Sequence, residues 1–153
     1  MLKAANAINH ARQHYLLSAT FKVKKATDLE TAYARGRRVE IVRHRNARYP
    51  AVRTCGSFFR NFFPDEVTLV RNGKKVIWVA YYLDTIGVKG QLQVGDAIVS
   101  HQHANMLVNQ GNATSNDLIQ LARAMQERVV EKFGIVPKTE CIFVGFNQYP
   151  LMK

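Results

Sequence analysis

Two spacings of apolar residues occur in the N-terminal third of this chain. Alternate residues of Tyr15–Val23 are apolar, so this segment is predicted to be a strand. Thr27 and Glu30 then fit a capping box, and the residues after them predict a helix that runs to about Arg43. The small or apolar positions at helical spacing are Leu29, Ala32, Tyr33, Gly36 and Val39.

A second helical pattern lies in the C-terminal half. Thr114 and Asp117 resemble the acidic variant of a capping box, and one apolar stripe continues until Gly134, a residue type that commonly ends helices. The pattern predicts a helix over Ser115–Phe133. Its stripe consists of Leu118, Leu121, Ala122, Met125, Val129 and Phe133.

Shorter β-rich segments lie around these helices. Asn72-Gly73 separates two β-rich runs and predicts a hairpin. Val79–Ile86 is predicted to be a helix, with Gly87 just past its end. Gln93–Ser100 is predicted to be one strand bent at its central glycine, and Thr139–Gly145 a final extended strand.

These elements predict an α+β fold in which a mixed, largely antiparallel sheet packs against helices. Each amphipathic stripe needs a sheet to cover, so we expect both the Ser115–Phe133 helix and the helix that starts at Thr27 to lie over it. A length of 153 residues with 47% apolar content suits one compact domain. The basic, Ala-rich segment Met1–His14 is expected to form a surface helix.

Charge narrows the classes of partner. The net charge of +11 favours an anionic partner, such as a nucleotide ligand, nucleic acid or a membrane surface. Seven arginines and His44 lie between Arg35 and Arg53, a density that suggests a nucleic-acid footprint. Because the run does not alternate with aromatic stacking platforms, a solvated helix face followed by a loop is the preferred interpretation.

Other signals point to a cytoplasmic protein without a metal. No apolar run approaches the roughly 18 residues of a membrane span, and no secretory signal pattern is recognisable. Cys55 and Cys141 are predicted to be reduced thiols. His101 and His103 are two residues apart but lack further ligands at local spacing, so no metal site is predicted.

The candidate chemistry is concentrated in Cys55–Asn61. Gly56 leaves room for a ligand or cofactor beside the Ser57 hydroxyl, and Arg60 with Asn61 can bind phosphate or carboxylate oxygens. The alternative interpretation is a half-buried strand with alternating faces. Glu140 lies near the start of the final apolar strand. Its carboxylate is either exposed to solvent at the strand end or a functional acid.

Several motifs, taken together, resemble one family. They are Cys55–Asn61, Tyr82–Asp84 with Gly87–Gly90, Val99–Asn105, Asn109–Thr114 and Glu140–Gly145. In this order and spacing they resemble the C-terminal, substrate-binding domain of the UDP-N-acetylenolpyruvoylglucosamine reductase (MurB) family. The resemblance covers roughly Tyr15 to Gly145.

The resemblance implies an activity and a set of site residues. In that family NADPH reduces FAD, which passes hydride to C3 of the enolpyruvyl group of UDP-N-acetylglucosamine enolpyruvate; C2 is then protonated. The family's serine proton donor carries over onto Ser57 and its glutamate onto Glu140, and both are expected to face one cleft, with the Arg60 guanidinium beside them. The residues expected to bind substrate are Arg60, Asn61, His103 and Asn105, and Gly56 is expected near the flavin.

The sequence also departs from the family pattern. Arg60 stands where the family usually has lysine, Phe62 where proline is common and Ile142 where arginine is common. These departures affect the expected contacts with substrate. The family's Gly-rich flavin-binding region and its Tyr-Arg-x-Ser arginine have no counterpart in this sequence. We therefore expect the chain to bind no FAD and to have no reductase activity by itself. A separate flavin-binding domain or chain is a candidate partner.

The resemblance implies two regions. Residues 1–25 would be a helix and strand left from the preceding flavin-domain region, and residues 26–153 the substrate-binding domain. Three functions stay open: the substrate-binding part of a reductase in peptidoglycan precursor synthesis, a noncatalytic nucleotide-sugar-binding module, and a basic nucleic-acid-binding domain. The last of these is disfavoured.

Overall fold

The computed structural model describes residues 17–51 and 53–153. It divides within its first helix into two compact units, Met1–Arg37 and Arg38–Lys153, and each is described by itself. The surface helix expected over Met1–His14 lies outside the described residues, and the predicted boundary after residue 25 stays a prediction. Among the described helices, none is long and apolar enough to cross a membrane.

The described part of the first unit lacks the predicted strand. Residues 17–27 have no regular secondary structure and are exposed, so the strand prediction is wrong for the described part of Tyr15–Val23. Alternating apolar residues form a stable strand only where a neighbouring strand and a core are available to them, and Phe21 is 70% exposed.

Helix α1 spans Asp28–Arg48, five residues past the predicted end. Its capping box is confirmed, since the Thr27 backbone N–H donates to Glu30 Oε2 at 2.8 Å and the Glu30 N–H donates to Thr27 Oγ1 at 3.3 Å. None of its residues is buried. The apolar stripe is therefore not buried as predicted, and Leu29 and Val39 are 81% and 66% exposed.

The first strands after α1 form a small hairpin. Strands β1 (Val70–Arg71) and β2 (Lys74–Lys75) pair antiparallel, and both turn residues between them, Asn72 and Gly73, have positive φ. Positive φ at both central positions defines the type I′ turn that Asn-Gly favours. The predicted hairpin is confirmed, although its strands are only two residues long.

Helix α2 spans Val79–Thr85 and ends one residue before the predicted end. Gly87, at φ 71°, lies just past its end and donates its backbone N–H to the Asp84 carbonyl at 3.0 Å, as a left-handed C-terminal cap does. Val79, Tyr82 and Leu83 are buried, so α2 contributes one face to the core.

A three-stranded antiparallel sheet follows, with β3 (Gln93–Val94), β4 (Ala97–Val99) and β5 (Leu107–Asn109) in that order. The prediction of one strand bent at Gly95 is wrong, because β3 and β4 are the two arms of a hairpin in which Val94 pairs with Ala97. Gly95 takes a positive φ of 53° at the first turn position, which is the requirement of a type II′ turn.

Helix α3 spans Ser115–Phe133, as predicted. Thr114 and Asp117 form the capping box, and Gly134 ends the helix at φ 68°. The helix packs against β3 and β4. Its fully buried positions include Leu121, Ala122 and Met125, so the stripe predicted from the sequence faces the core.

The described residues thus form an α+β fold with antiparallel sheets, and the predicted fold class is confirmed. All three strand pairings in the named sheets are antiparallel. The predicted final strand, Thr139–Gly145, is reduced to one isolated bridge between Thr139 and Phe59, and the chain beyond it is irregular.

Candidate functional site

The segment that carries Ser57 lies between two others. Ser57 forms an antiparallel bridge with Met106, next to β5, and Phe59 forms one with Thr139. The Phe58 N–H donates to the Asn105 carbonyl at 2.9 Å. The segment therefore continues the sheet edge beyond β5, with Ser57 half-buried between the buried Phe58 and the turn at Gly56.

Asn105 fixes this segment in place. Its side-chain Oδ1 accepts the Phe59 N–H at 2.9 Å, and its Nδ2 donates to the Phe59 carbonyl at 2.7 Å. The side chain is buried at 3% exposure, so an unpaired amide here would be costly. In this structure the Asn105 amide is used by the protein's own backbone, whereas the sequence predicted it as a substrate ligand.

Glu140 lies on the other side of the Ser57 segment. Its backbone N–H donates to the Phe58 carbonyl at 2.9 Å, and the Arg60 N–H donates to the Lys138 carbonyl at 2.9 Å. Two segments that are far apart in sequence are thereby brought side by side. The Glu140 residue is exposed.

The direction of the two candidate catalytic side chains is a separate matter. The bridge pairs Glu140 across from Phe58, one position out of step with Ser57. Bends at Phe58, Glu140 and Cys141 interrupt the pairing, so strand alternation does not fix which way either side chain faces. A shared cleft for the hydroxyl and the carboxylate stays a prediction.

Arg60 is engaged in an ion pair. Its two terminal nitrogens donate to the two carboxylate oxygens of Glu66 at 2.8 and 2.7 Å, and Lys138 Nζ lies 3.3 Å from the same carboxylate. The hydrogen bonds from Arg60 hold the pKa of Glu66 at about 2. The guanidinium also lies 4.4 Å from the centroid of the Phe63 ring, so binding a substrate anion would require it to share or leave these partners.

Asn61 and His103 also contact the protein itself. Asn61 Oδ1 accepts the Val79 N–H at the start of α2, at 3.2 Å. His103 stacks on Tyr49 with 5.3 Å between ring centroids, and its Nδ1 accepts the Asn105 N–H at 3.1 Å. Burial lowers the pKa of His103, which favours a neutral ring. Substrate contact by either residue stays a prediction.

A cavity of about 410 Å³ opens beside the candidate serine. It is bounded by the end of α1 and by the turn before Ser57. The lining residues are Arg45, Asn46, Tyr49, Pro50, Ala51, Thr54, Cys55, Gly56 and Met106. A basic, partly aromatic lining next to Ser57 is chemically suited to an anionic ligand.

The described residues show no built cradle for a flavin. Gly56 has φ 84°, yet a side-chain carbon placed on it would meet no atom within 4 Å, so its surroundings do not mark a close approach by a cofactor. Among the described residues, no cluster of three metal-ligating side chains occurs.

Three residues with structural roles were not predicted from the sequence: Gln126, Glu66 and Lys138. Gln126 is fully buried on α3 and donates Nε2 to the Pro137 carbonyl at 2.7 Å, while its Oε1 accepts the Met152 N–H at 3.0 Å. Glu66 joins Arg60 to Lys138. The burial of Gln126 could have been predicted from its position, because it directly follows Met125 on the buried face of a helix.

Known proteins share this α+β domain, including the stretches that carry the Gly-Ser and glutamate segments. A family model described as UDP-N-acetylenolpyruvoylglucosamine reductase, C-terminal domain, matches residues 47–144. This is well over half of the chain, and it includes both Ser57 and Glu140. The chain belongs to the UDP-N-acetylenolpyruvoylglucosamine reductase family.

Individual relatives carry the same name. The protein from Chloroherpeton thalassium is 31% identical over 149 residues, which cover 97% of this chain and 46% of the relative. The protein from Gloeobacter violaceus is 43% identical over 91 residues, covering 60% of this chain and 27% of the relative. Against these relatives the chain therefore spans less than half of the full length.

A solved structure agrees with the sequence matches. The crystal structure of UDP-N-acetylenolpyruvylglucosamine reductase (MurB) from Thermus caldophilus superposes with a TM-score of 0.50 at 28% identity. The match covers 78% of this chain and 37% of that chain. The predicted family resemblance is confirmed.

Proposed function

We propose that this chain supplies the substrate-binding and proton-donating part of the reduction of UDP-N-acetylglucosamine enolpyruvate to UDP-N-acetylmuramate, a step in making peptidoglycan precursors. The observation that carries the proposal is that the family match includes Ser57 and Glu140, and that their segments are hydrogen-bonded side by side. FAD and NADPH would supply the hydride when the flavin-binding part is present.

Within this proposal Ser57 donates the proton to C2. A hydroxyl is a weak acid in water, but it becomes an adequate donor beside a developing carbanion in an oriented site with little water. Ser57 is half-buried and its neighbour Phe58 is buried. The hydrogen bonds to the backbone of Phe58 and Phe59 support such an orientation, because general acid catalysis needs the donor within hydrogen-bonding distance of the reacting atom.

Glu140 is proposed to stabilise the enol form near the substrate carboxylate or to relay the proton. Its exposed position leaves the carboxyl group accessible from solvent. The uridine diphosphate would be held by cationic groups near Ser57, and Arg45, which lines the neighbouring cavity, is one such group. A diphosphate ligand suits the chain's net charge of +11.

The direct test is a fusion of this chain to the flavin-binding portion of the Chloroherpeton thalassium relative, joined where the two sequences align. We expect the fusion to oxidise NADPH when UDP-N-acetylglucosamine enolpyruvate is added, and the flavin-binding portion alone to show no such dependence on substrate. A fusion that binds flavin and substrate but does not turn over would overturn the catalytic proposal. It would leave a noncatalytic nucleotide-sugar-binding module in its place.

A further inference from the structure

Two cysteines far apart in sequence lie beside the candidate site. Cys55 and Cys141 are separated by 86 positions, yet their sulfur atoms are 3.5 Å apart. A disulfide needs about 2.0 Å between sulfurs, with Cβ atoms close enough for the bond. Both cysteines are free thiols here, and their sulfur atoms are already in contact.

The two thiols differ in acidity and access. A hydrogen bond from the Cys141 thiol lowers the pKa of Cys55 to about 7, whereas the pKa of Cys141 is raised by the same contact and by burial. Cys55 is exposed and lines the 410 Å³ cavity. A small oxidant in that cavity therefore meets the thiol that ionises more easily, and the thiolate is the attacking form.

We propose that Cys55 and Cys141 form a redox-responsive pair whose oxidant is a low-molecular-weight disulfide, and that the resulting bond ties the Ser57 segment to the Glu140 segment. The proposal is independent of the proposed reductase function. Under reducing conditions the pair stays as two thiols, and an oxidising shift closes it.

The chemistry balances in two exchange steps. The Cys55 thiolate attacks one sulfur of the oxidant RSSR, forming a mixed disulfide and releasing the thiolate RS⁻. Cys141 then loses its proton to this leaving group or to solvent, and its sulfur attacks Cys55 Sγ, releasing the second RS⁻. Overall, two protein thiols are oxidised to one disulfide while RSSR is reduced to two RSH.

The position of the bond gives it a consequence. Cys55 precedes Ser57 by two residues, and Cys141 directly follows Glu140. After Glu140 the chain has no regular structure, and residues 144–149 are exposed. Because a disulfide restricts the separation of the two backbones it joins, closure would hold the start of this C-terminal segment against the Ser57 turn.

The test incubates the 153-residue chain with defined ratios of reduced to oxidised glutathione, then traps free thiols with maleimide and weighs the protein by mass spectrometry. We expect an internal disulfide to form without a lasting glutathione adduct, and hydrogen exchange over residues 141–146 to slow in the oxidised form. Stable glutathione adducts or disulfide-linked dimers in place of the internal bond would overturn the proposal.

Two single variants assign the order of attack. Serine keeps a hydrogen-bonding group of similar size, so Cys141→Ser should stop at a mixed disulfide on Cys55. In Cys55→Ser the remaining Cys141 should react with oxidised glutathione about tenfold more slowly or worse, because less thiolate is present. Faster reaction at Cys141 than at Cys55 in these two variants would contradict the proposed order.

Discussion

Helices α1 and α3 begin with the same capping motif but differ in burial: α3 packs in the core and α1 is exposed. Each starts with a threonine capping box and carries apolar residues at helical spacing. Six residues of α3 are buried, whereas none of the residues of α1 is. A periodic stripe predicts where a helix will be buried if a surface is available, and says nothing about whether the described chain supplies that surface.

The largest expected effect on stability comes from a matched pair of leucine substitutions, which tests this contrast in burial. Leu121 on α3 is 0% exposed and Leu29 on α1 is 81% exposed. Leu121→Ala should lower the free energy of unfolding by about 2–5 kcal/mol, because it removes buried contacts and leaves a cavity. Leu29→Ala should change it by less than about 0.5 kcal/mol. Urea unfolding of the two variants measures both, and similar losses would contradict the contrast.

The next largest expected effect concerns Asn105, whose side chain holds the backbone beside Ser57. Asn105→Leu removes both side-chain bonds to Phe59, and each buried backbone group left without a partner costs about 1–3 kcal/mol. We expect a lower free energy of unfolding and faster hydrogen exchange at the Phe59 amide. The exposed Asn112→Leu is the matched control. Equal exchange at Phe59 in both variants would show that Asn105 does not hold the segment.

The ion pair at Glu66 should appear as a pH dependence. Its pKa is lowered to about 2 in the folded chain, from 4.5, so its stabilisation is fully present above about pH 4.5 and is lost as the pH falls through about 2. Glu66→Gln should reduce stability by about 1.5–3 kcal/mol at neutral pH, and the difference from the native sequence should shrink as the solution is acidified.

A control separates this pair from general acid unfolding. Asp65 is an exposed acid next to Glu66, so Asp65→Asn changes the charge equally without removing the bidentate contact to Arg60. Stability is measured by thermal unfolding from pH 2 to 7 for all three chains. A difference between native and Glu66→Gln that does not change with pH would mean that the carboxylate charge is not the source.

The smallest expected effects concern the two caps. Thr114→Ala should lower the free energy of global unfolding by about 1 kcal/mol, since the hydroxyl accepts the Asp117 N–H at the start of a buried helix. Thr27→Ala should reduce helicity by circular dichroism and leave the global transition unchanged, because α1 buries no residue. A global loss from Thr27→Ala would mean that α1 is coupled to the core.

Local sequence patterns correctly predicted the elements that are determined by a few neighbouring residues. The Asn72-Gly73 hairpin and both ends of α3 depend on turn and cap chemistry, and the structure confirms them. The split of Gln93–Ser100 into two strands was missed because a central glycine suits both a bend and a II′ turn.

The site was predictable only in part, for a different reason. Motif resemblance predicted Ser57 and Glu140 as catalytic residues, and the structure brings their segments together. It could not show that Arg60 would pair with Glu66 or that Asn105 would bind the Phe59 backbone. Those contacts depend on partners that are distant in sequence. The spacing of residues along one segment does not predict such contacts.

The central claim is that Ser57 acts as the proton donor after hydride transfer, and one comparison tests it most directly. In the fusion to a flavin-binding portion, Ser57→Ala should slow substrate-dependent NADPH oxidation by orders of magnitude. NADPH oxidation by an artificial electron acceptor should stay unchanged, because that reaction does not need the proton. Ser115→Ala, an exposed serine at the start of α3, should change neither rate. Equal loss of both activities in Ser57→Ala, or full substrate turnover, would contradict the assignment.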